Sequence, residues 1–270
     1  DVQILSNTST MFDTFAGTST TPGLWECDVV TSDGTDTANA SADIEVNSDW
    51  PGTLTFTNCG QIGATGPSQS QCDSEYNGST LDSVVSVSSG YQTWVVPSDG
   101  TYLIEAYGAA GGRGKEYSTN NYSSGVPGSG ALMTGEFVLT QGDVLEVIVG
   151  QIGGEALSSS QKGGGGGGGT FIVDASTGSP LLIAGGGGGS GRYDGNNGFG
   201  GQVGTGGYSP GTASSGTGGS GGSGGTAGSC GYAGNGGAGF FGNGSSACGN
   251  SYIPHQYSEG LYGGEWSRCW

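Results

Sequence analysis

Few residues in this 270-residue sequence are placed to do chemistry. Its one histidine, His255, lies in Pro254-His255-Gln256 near the end. No nucleophile elbow accompanies it, so a serine triad has no assembled base. Lys115 follows Gly111-Gly112-Arg113-Gly114, a faint echo of a phosphate loop. A P-loop needs Ser or Thr next, to hold Mg²⁺, but Glu116 stands there, and no helical pattern follows. The Asp and Glu residues are scattered through turn-rich stretches rather than paired, so glycosidase chemistry has no visible frame. Asp33, Asp36 and Asp43, with Gly and Thr between them, could offer oxygen ligands to Ca²⁺, although the EF-hand spacing is missing. The sequence therefore reads as non-enzymatic and without a cofactor, calcium being the one alternative.

The six cysteines are Cys27, Cys59, Cys72, Cys230, Cys248 and Cys269. Their spacing fits no zinc site, and an even count suits disulfides formed in an oxidising compartment. Asn-x-Ser/Thr acceptors occur at Asn7, Asn39, Asn77, Asn121 and Asn243. Asp1 reads as the residue left after a signal peptide is removed. No apolar run reaches 18 residues, so no membrane span is expected. The net charge of −18, with 5 basic residues, argues against nucleic acid and anionic membrane surfaces. It suits a basic partner or divalent cations. Secretion or display at the cell surface is the expected location.

The elements that must position these residues read as β-structure. Residues 1–52 are polar, with sparse apolar positions. Asp33-Gly34 reads as a turn, and Ala42, Ile44 and Val46 alternate with Asp43 and Glu45 as one half-buried strand. This stretch is read as an extension that lies on another surface, in its own chain or in a neighbouring copy. From residue 53 onwards, strands are expected at Thr53–Thr57, Val84–Val87, Gln92–Val96, Tyr102–Tyr107, Gly135–Leu139 and Val144–Val149. Turns fall at Ser98-Asp99-Gly100 and Gln141-Gly142-Asp143. That spacing points to an antiparallel sandwich or jelly roll over 53–162. No segment shows helical periodicity. In the tail, 251–270, Tyr252, Tyr257, Tyr262, Trp266 and Trp270 read as packing residues or as a sugar-binding platform.

Residues 163–250 hold about 38 of the 63 glycines. Gly163–Gly169 and Gly185–Gly189 flank a hairpin, Thr170–Val173 and Leu181–Ala184. One reading is a flexible linker. The other is a packed bundle. Ordering glycine costs more entropy than ordering any other residue, and no side chain repays it. Backbone hydrogen bonding is the remaining source of stability. Extended threefold helices, at about 3.1 Å per residue, can approach closely without Cβ atoms and bond sideways. We take the bundle of polyglycine II helices as the expectation.

Three stretches carry a family resemblance: Phe56–Cys72 (FTNCGQIGATGPSQSQC); Trp94–Gly112 (WVVPSDGTYLIEAYGAAGG), continued by Gly135–Gly150; and Gly163–Gly189. Over about residues 54–250 the chain resembles the glycine-rich extracellular region of the anaplastic lymphoma kinase and leukocyte tyrosine kinase receptors. The resemblance implies an all-β, jelly-roll module similar to tumour necrosis factor, with a polyglycine bundle inserted. It also implies a Cys59–Cys72 disulfide and, in those receptors, a small basic protein ligand. Cys230 and Cys248 share one glycine-rich stretch and are read as bonded across adjacent rods. Cys27 and Cys269 remain, to pair within one chain or between chains.

Two functions follow as expectations. The first is a self-assembling structural subunit of an extracellular fibre or coat, its partners being copies of itself through a donated N-terminal strand. The alternative is a ligand-binding or adhesive ectodomain that captures a basic protein or a glycan.

Overall fold

The computed structural model describes the backbone of residues 23–32 and 37–46. It describes in full residues 52–62, 65–115, 125–156, 163–191, 197–207, 217, 219–226 and 239–245. The chain separates into two compact units, Asp1–Gly52 and Thr53–Trp270.

The first unit contains two strands, β1 (Gly23–Ser32) and β2 (Thr37–Val46). They form an antiparallel hairpin in which Trp25 faces Ile44 and Cys27 faces Ala42. One strand was expected here and two are present. The missed strand, GLWECDVVTS, lacks a clean apolar–polar alternation.

In the second unit, alternation and turn chemistry set the strands. They are β3 (Val85–Ser88), β4 (Tyr91–Val95), β5 (Gly100–Tyr107), β6 (Leu132–Leu139), β7 (Val144–Ile148), β8 (Thr170–Asp174) and β9 (Ser179–Ala184). Strands β3-β4-β7-β8-β9 form one antiparallel sheet in that order, and β5 pairs with β6 in a second. β5 packs on β8 and β9, and β6 on β9, giving an all-β sandwich. Its core joins Trp94, Val96, Leu145, Ile172 and Leu182 to Tyr102, Ala106 and Leu139. Trp94 meets Phe56 and Tyr102 edge-to-face, with ring centroids 6.4 and 6.1 Å apart. Such pairs add about 0.5–1.5 kcal/mol each beyond area burial. On the other face of the large sheet, Phe171, Val173 and Ile148 are covered by Phe240, which comes from the distant glycine-rich segment.

Two expectations need correction. A helix, α1 (Gln69–Tyr76), is present where none was expected. Its sequence is almost wholly polar, and only Cys72 and Tyr76, one helical turn apart, are buried. Residues 53–57 are not a strand, although Leu54 and Phe56 do pack on the core. At Thr57, side chains replace a β-ladder. Its N–H donates to the Tyr76 hydroxyl (3.0 Å), and its carbonyl accepts from Gln92 Nε2 (2.7 Å). Tyr76 in turn donates to Gln92 Oε1 (2.5 Å). The Gln92 side chain is fully buried and both ends of its amide are satisfied. Burial raises the Tyr76 pKa above its ordinary value, against the opposing pull of the Thr57 and Gln92 hydrogen bonds.

Candidate functional site

Two features stand out, a glycine block and an exposed sheet face. The block grows from the strand ends. Segment 108–114 leaves β5 and 125–131 enters β6. Segment 150–156 leaves β7 and 163–169 enters β8. Segment 185–191 leaves β9, and 197–201 lies beside it. None of these segments is itself a strand or a helix, yet their amides are bonded sideways at a spacing of three residues. Ala109 and Gly112 donate to Gly168 and Gly165 (2.9 and 2.8 Å). Gly164 and Gly167 donate to Ser190 and Gly187 (2.9 and 2.8 Å). Gly187 and Ser190 donate to Ala109 and Gly112 (2.8 and 3.0 Å). Burial repeats at the same interval: Gly125, Gly128 and Ala131 are buried, as are Ala184, Gly187 and Ser190.

Glycine is required because the segments touch through backbone. A Cβ built on Gly164, Gly167 or Gly187 would fall well under 3.0 Å from a carbonyl oxygen of Gly112, Ala109 or Gly128 respectively. Two hydroxyls fasten the block. At the sandwich end, Thr170 Oγ1 donates to the Tyr107 carbonyl (2.6 Å) and accepts from Gly150 N–H (3.0 Å). At the far end, Ser190 Oγ accepts from Gly114 N–H (3.0 Å). The amides around Lys115 are thus already engaged: Gly111 and Gly112 donate to Gly128 and Gly165 (3.0 and 2.8 Å). They cannot cradle a phosphate.

The sheet face lies on the outer side of β5 and β6. Alternation turns Tyr102, Ile104 and Ala106 towards the core and Thr101, Leu103, Glu105 and Tyr107 outwards. On β6, Leu132, Thr134, Glu136 and Val138 face outwards. Across the ladder, Leu103 stands opposite Glu136, Glu105 opposite Thr134, Tyr107 opposite Leu132 and Thr101 opposite Val138. Val138 is 83% exposed, Leu103 64% and Tyr107 62%. Glu105 and Glu136 are diagonal neighbours, roughly 7–8 Å apart by strand geometry. Among the described residues, neither side chain has a hydrogen-bond or ionic partner. The outer face thus alternates exposed apolar side chains with threonines and two carboxylates that have no partner among the described residues.

No protein-family model matches the chain. A stretch of 108 residues is 40% identical to the leukocyte tyrosine kinase receptor of Mus musculus. Over that stretch the chain is related to a receptor. The match covers 39% of this chain and 12% of the receptor's length.

The remaining sequence-derived sites fall as follows. Cys59 and Cys72 are joined in a buried disulfide, Cα–Cα 4.9 Å. Cys27 lies in β1, whereas Cys230, Cys248 and Cys269 lie outside the described residues. Asn77 is exposed at the C-terminal end of α1, and Asn243 is half-buried. Asn39 lies in β2 opposite Val30, and Asn7 and Asn121 lie outside the described residues. Asp43 lies in β2 opposite Glu26. Asp33, Asp36, His255 and the aromatic tail lie outside the described residues. Among the described residues, no three His, Cys, Asp or Glu side chains are grouped to hold a metal ion, and no helix is long and apolar enough to cross a membrane. The β5–β6 face was not singled out from sequence. Its alternation is legible, but 24 residues (108–131) separate the two strands and hide their pairing.

Proposed function

We propose that this chain is a non-enzymatic, ligand-binding module of an extracellular or cell-surface protein, and that the outer face of β5 and β6 captures a basic protein or peptide. One observation carries the reading: Glu105 and Glu136 stand without partners amid exposed Leu103, Tyr107, Leu132 and Val138. The relationship to a protein named as a receptor supports it, as does the net charge of −18. The buried Cys59–Cys72 disulfide supports an oxidising compartment. In this reading the glycine segments are polyglycine II rods. Their role is to clamp the strand ends so that the face stays flat and fixed. The three-residue repeat of bonds and burial supports that assignment. A fibre subunit has less behind it, because relationship to a receptor favours capture of a ligand over self-assembly.

The test uses the whole chain and a synthetic amphipathic peptide of alternating Arg and Leu, with binding followed by interferometry at several salt concentrations. The expected result is saturable binding that salt weakens and that Glu105→Gln with Glu136→Gln reduces about tenfold, about 1.4 kcal/mol. Equal binding by the double variant would remove this face from the account.

A further inference from the structure

We propose that Asn77 carries an N-linked glycan in the mature protein and that Asn243 does not. The proposal rests on the extracellular reading above but turns on different residues.

Asn77 ends α1 and begins a tight turn. Its φ and ψ are −52° and 121°. Gly78 follows at φ +74°, and Ser79 N–H donates to the Tyr76 carbonyl (2.8 Å). These are the values of a type II turn with Asn77 at its second position and Gly78 at its third, where the positive φ requires glycine. Asp82 holds the turn from the other side, accepting from Gly78 N–H (3.0 Å). Asn77 is exposed, and its side-chain amide has no partner among the described residues. Space beyond the turn is open, since a Cβ placed on Gly78 would meet nothing within 4 Å. A sugar on this amide displaces no packing and breaks no hydrogen bond.

Asn243 sits in the opposite setting. It is half-buried, and its carbonyl lies so close to Gly224 that a Cβ there would fall well under 3.0 Å from the oxygen. The following Gly244 is buried, and Ser245 N–H donates to the Gly225 carbonyl (3.1 Å). With its backbone packed on Gly224 and its neighbours bonded to Gly225, half-buried Asn243 offers a glycan less room than the exposed Asn77 turn does. The same tripeptide pattern therefore has two different outcomes, and the fold supplies the difference.

The chemistry is a group transfer from a lipid-linked oligosaccharide diphosphate. A bond forms between Asn77 Nδ2 and the anomeric carbon of the sugar. The bond from that carbon to the phosphate oxygen breaks, the lipid diphosphate leaves with the electron pair, and the amide loses one proton.

The whole chain, given a cleavable secretory leader, is expressed in cultured animal cells. It is also translated in vitro with endoplasmic-reticulum microsomes. Released or microsome-protected protein is treated with peptide-N-glycosidase in ¹⁸O water, and the peptides containing residues 77 and 243 are read by mass spectrometry. The expected result is conversion of Asn77 to ¹⁸O-labelled Asp, with Asn243 unchanged, and loss of one glycan's gel shift in Asn77→Gln. Unmodified Asn77 in either system, or an occupied Asn243, overturns the proposal. Microsomal acceptance combined with failure of secretion from cells would instead count against the extracellular reading alone.

Discussion

Alanine at Gly187 tests the packing of the glycine block more sharply than any surface change. Gly187 donates to Ala109 and accepts from Gly167, both at 2.8 Å, and its added methyl would run into the Gly128 carbonyl. That obstacle is backbone, so no rotamer change relieves it. Segment 185–191 must move away from 125–131, which stretches the bonds Gly128→Gly188 and Ala131→Gly185 (2.9 and 2.8 Å). Overpacking of this kind costs about 1–3 kcal/mol, and each lost bond about 1 kcal/mol more. A total of about 3–5 kcal/mol is a large part of an ordinary domain's stability of about 5–15 kcal/mol. In a flexible linker, unordered in the folded and the unfolded chain alike, the same change would alter both states equally and leave stability nearly unchanged. The two accounts differ by about 3–5 kcal/mol. Gly185→Ala is the matched control, because a Cβ at Gly185 meets nothing within 4 Å. Urea unfolding followed by tryptophan fluorescence should show a much lower midpoint for Gly187→Ala and an unchanged or slightly higher one for Gly185→Ala. Equal midpoints would refute the packed block.

Other consequences can be checked in the same assay. Thr170→Val leaves the Tyr107 carbonyl and the Gly150 N–H without their hydroxyl partner and should cost about 2–4 kcal/mol. Replacing Cys59 and Cys72 together by Ser removes a cross-link closing 13 residues and should cost about 3 kcal/mol in the chain-entropy model. The raised Tyr76 pKa fixes a pH dependence. The folded state keeps the phenolic proton while the unfolded chain ionises near the ordinary value of 10.0, so this contribution is intact below that pH. It is lost as the pH rises through the folded pKa. Urea midpoints should therefore fall above about pH 10, and Tyr76→Phe should flatten that slope.

How much of this was legible in the sequence varies by element. β4, β5 and β7 were, because a period of two ends at glycine-containing turns, as Tyr102, Ile104 and Ala106 show against Leu103, Glu105 and Tyr107. α1 was not, since eight residues with two buried positions leave no apolar stripe to detect. Thr53–Thr57 misled for a different reason. Leu54 and Phe56 have strand-like spacing and do enter the core, but the backbone of the adjoining Thr57 bonds to the Tyr76 and Gln92 side chains instead of a neighbouring strand, which no local pattern encodes. The candidate face was half legible. Alternation marks Glu105 and Glu136 as outward, but their adjacency depends on two glycine segments lying side by side between β5 and β6, bonded from Gly108 to Ala131 and from Gly111 to Gly128. Polyglycine carries no side-chain pattern from which such a register could be read.

Amide hydrogen exchange at Gly164, Gly165, Gly167, Gly168 and Gly187, each an N–H donor to a neighbouring segment, tests the locked block most directly. Exchange slowed by at least about a hundredfold relative to an unfolded peptide is the predicted result. Rates equal to those of an unfolded peptide would mean that the glycine segments are not held by one another, and the rigid base beneath the β5–β6 face would be gone.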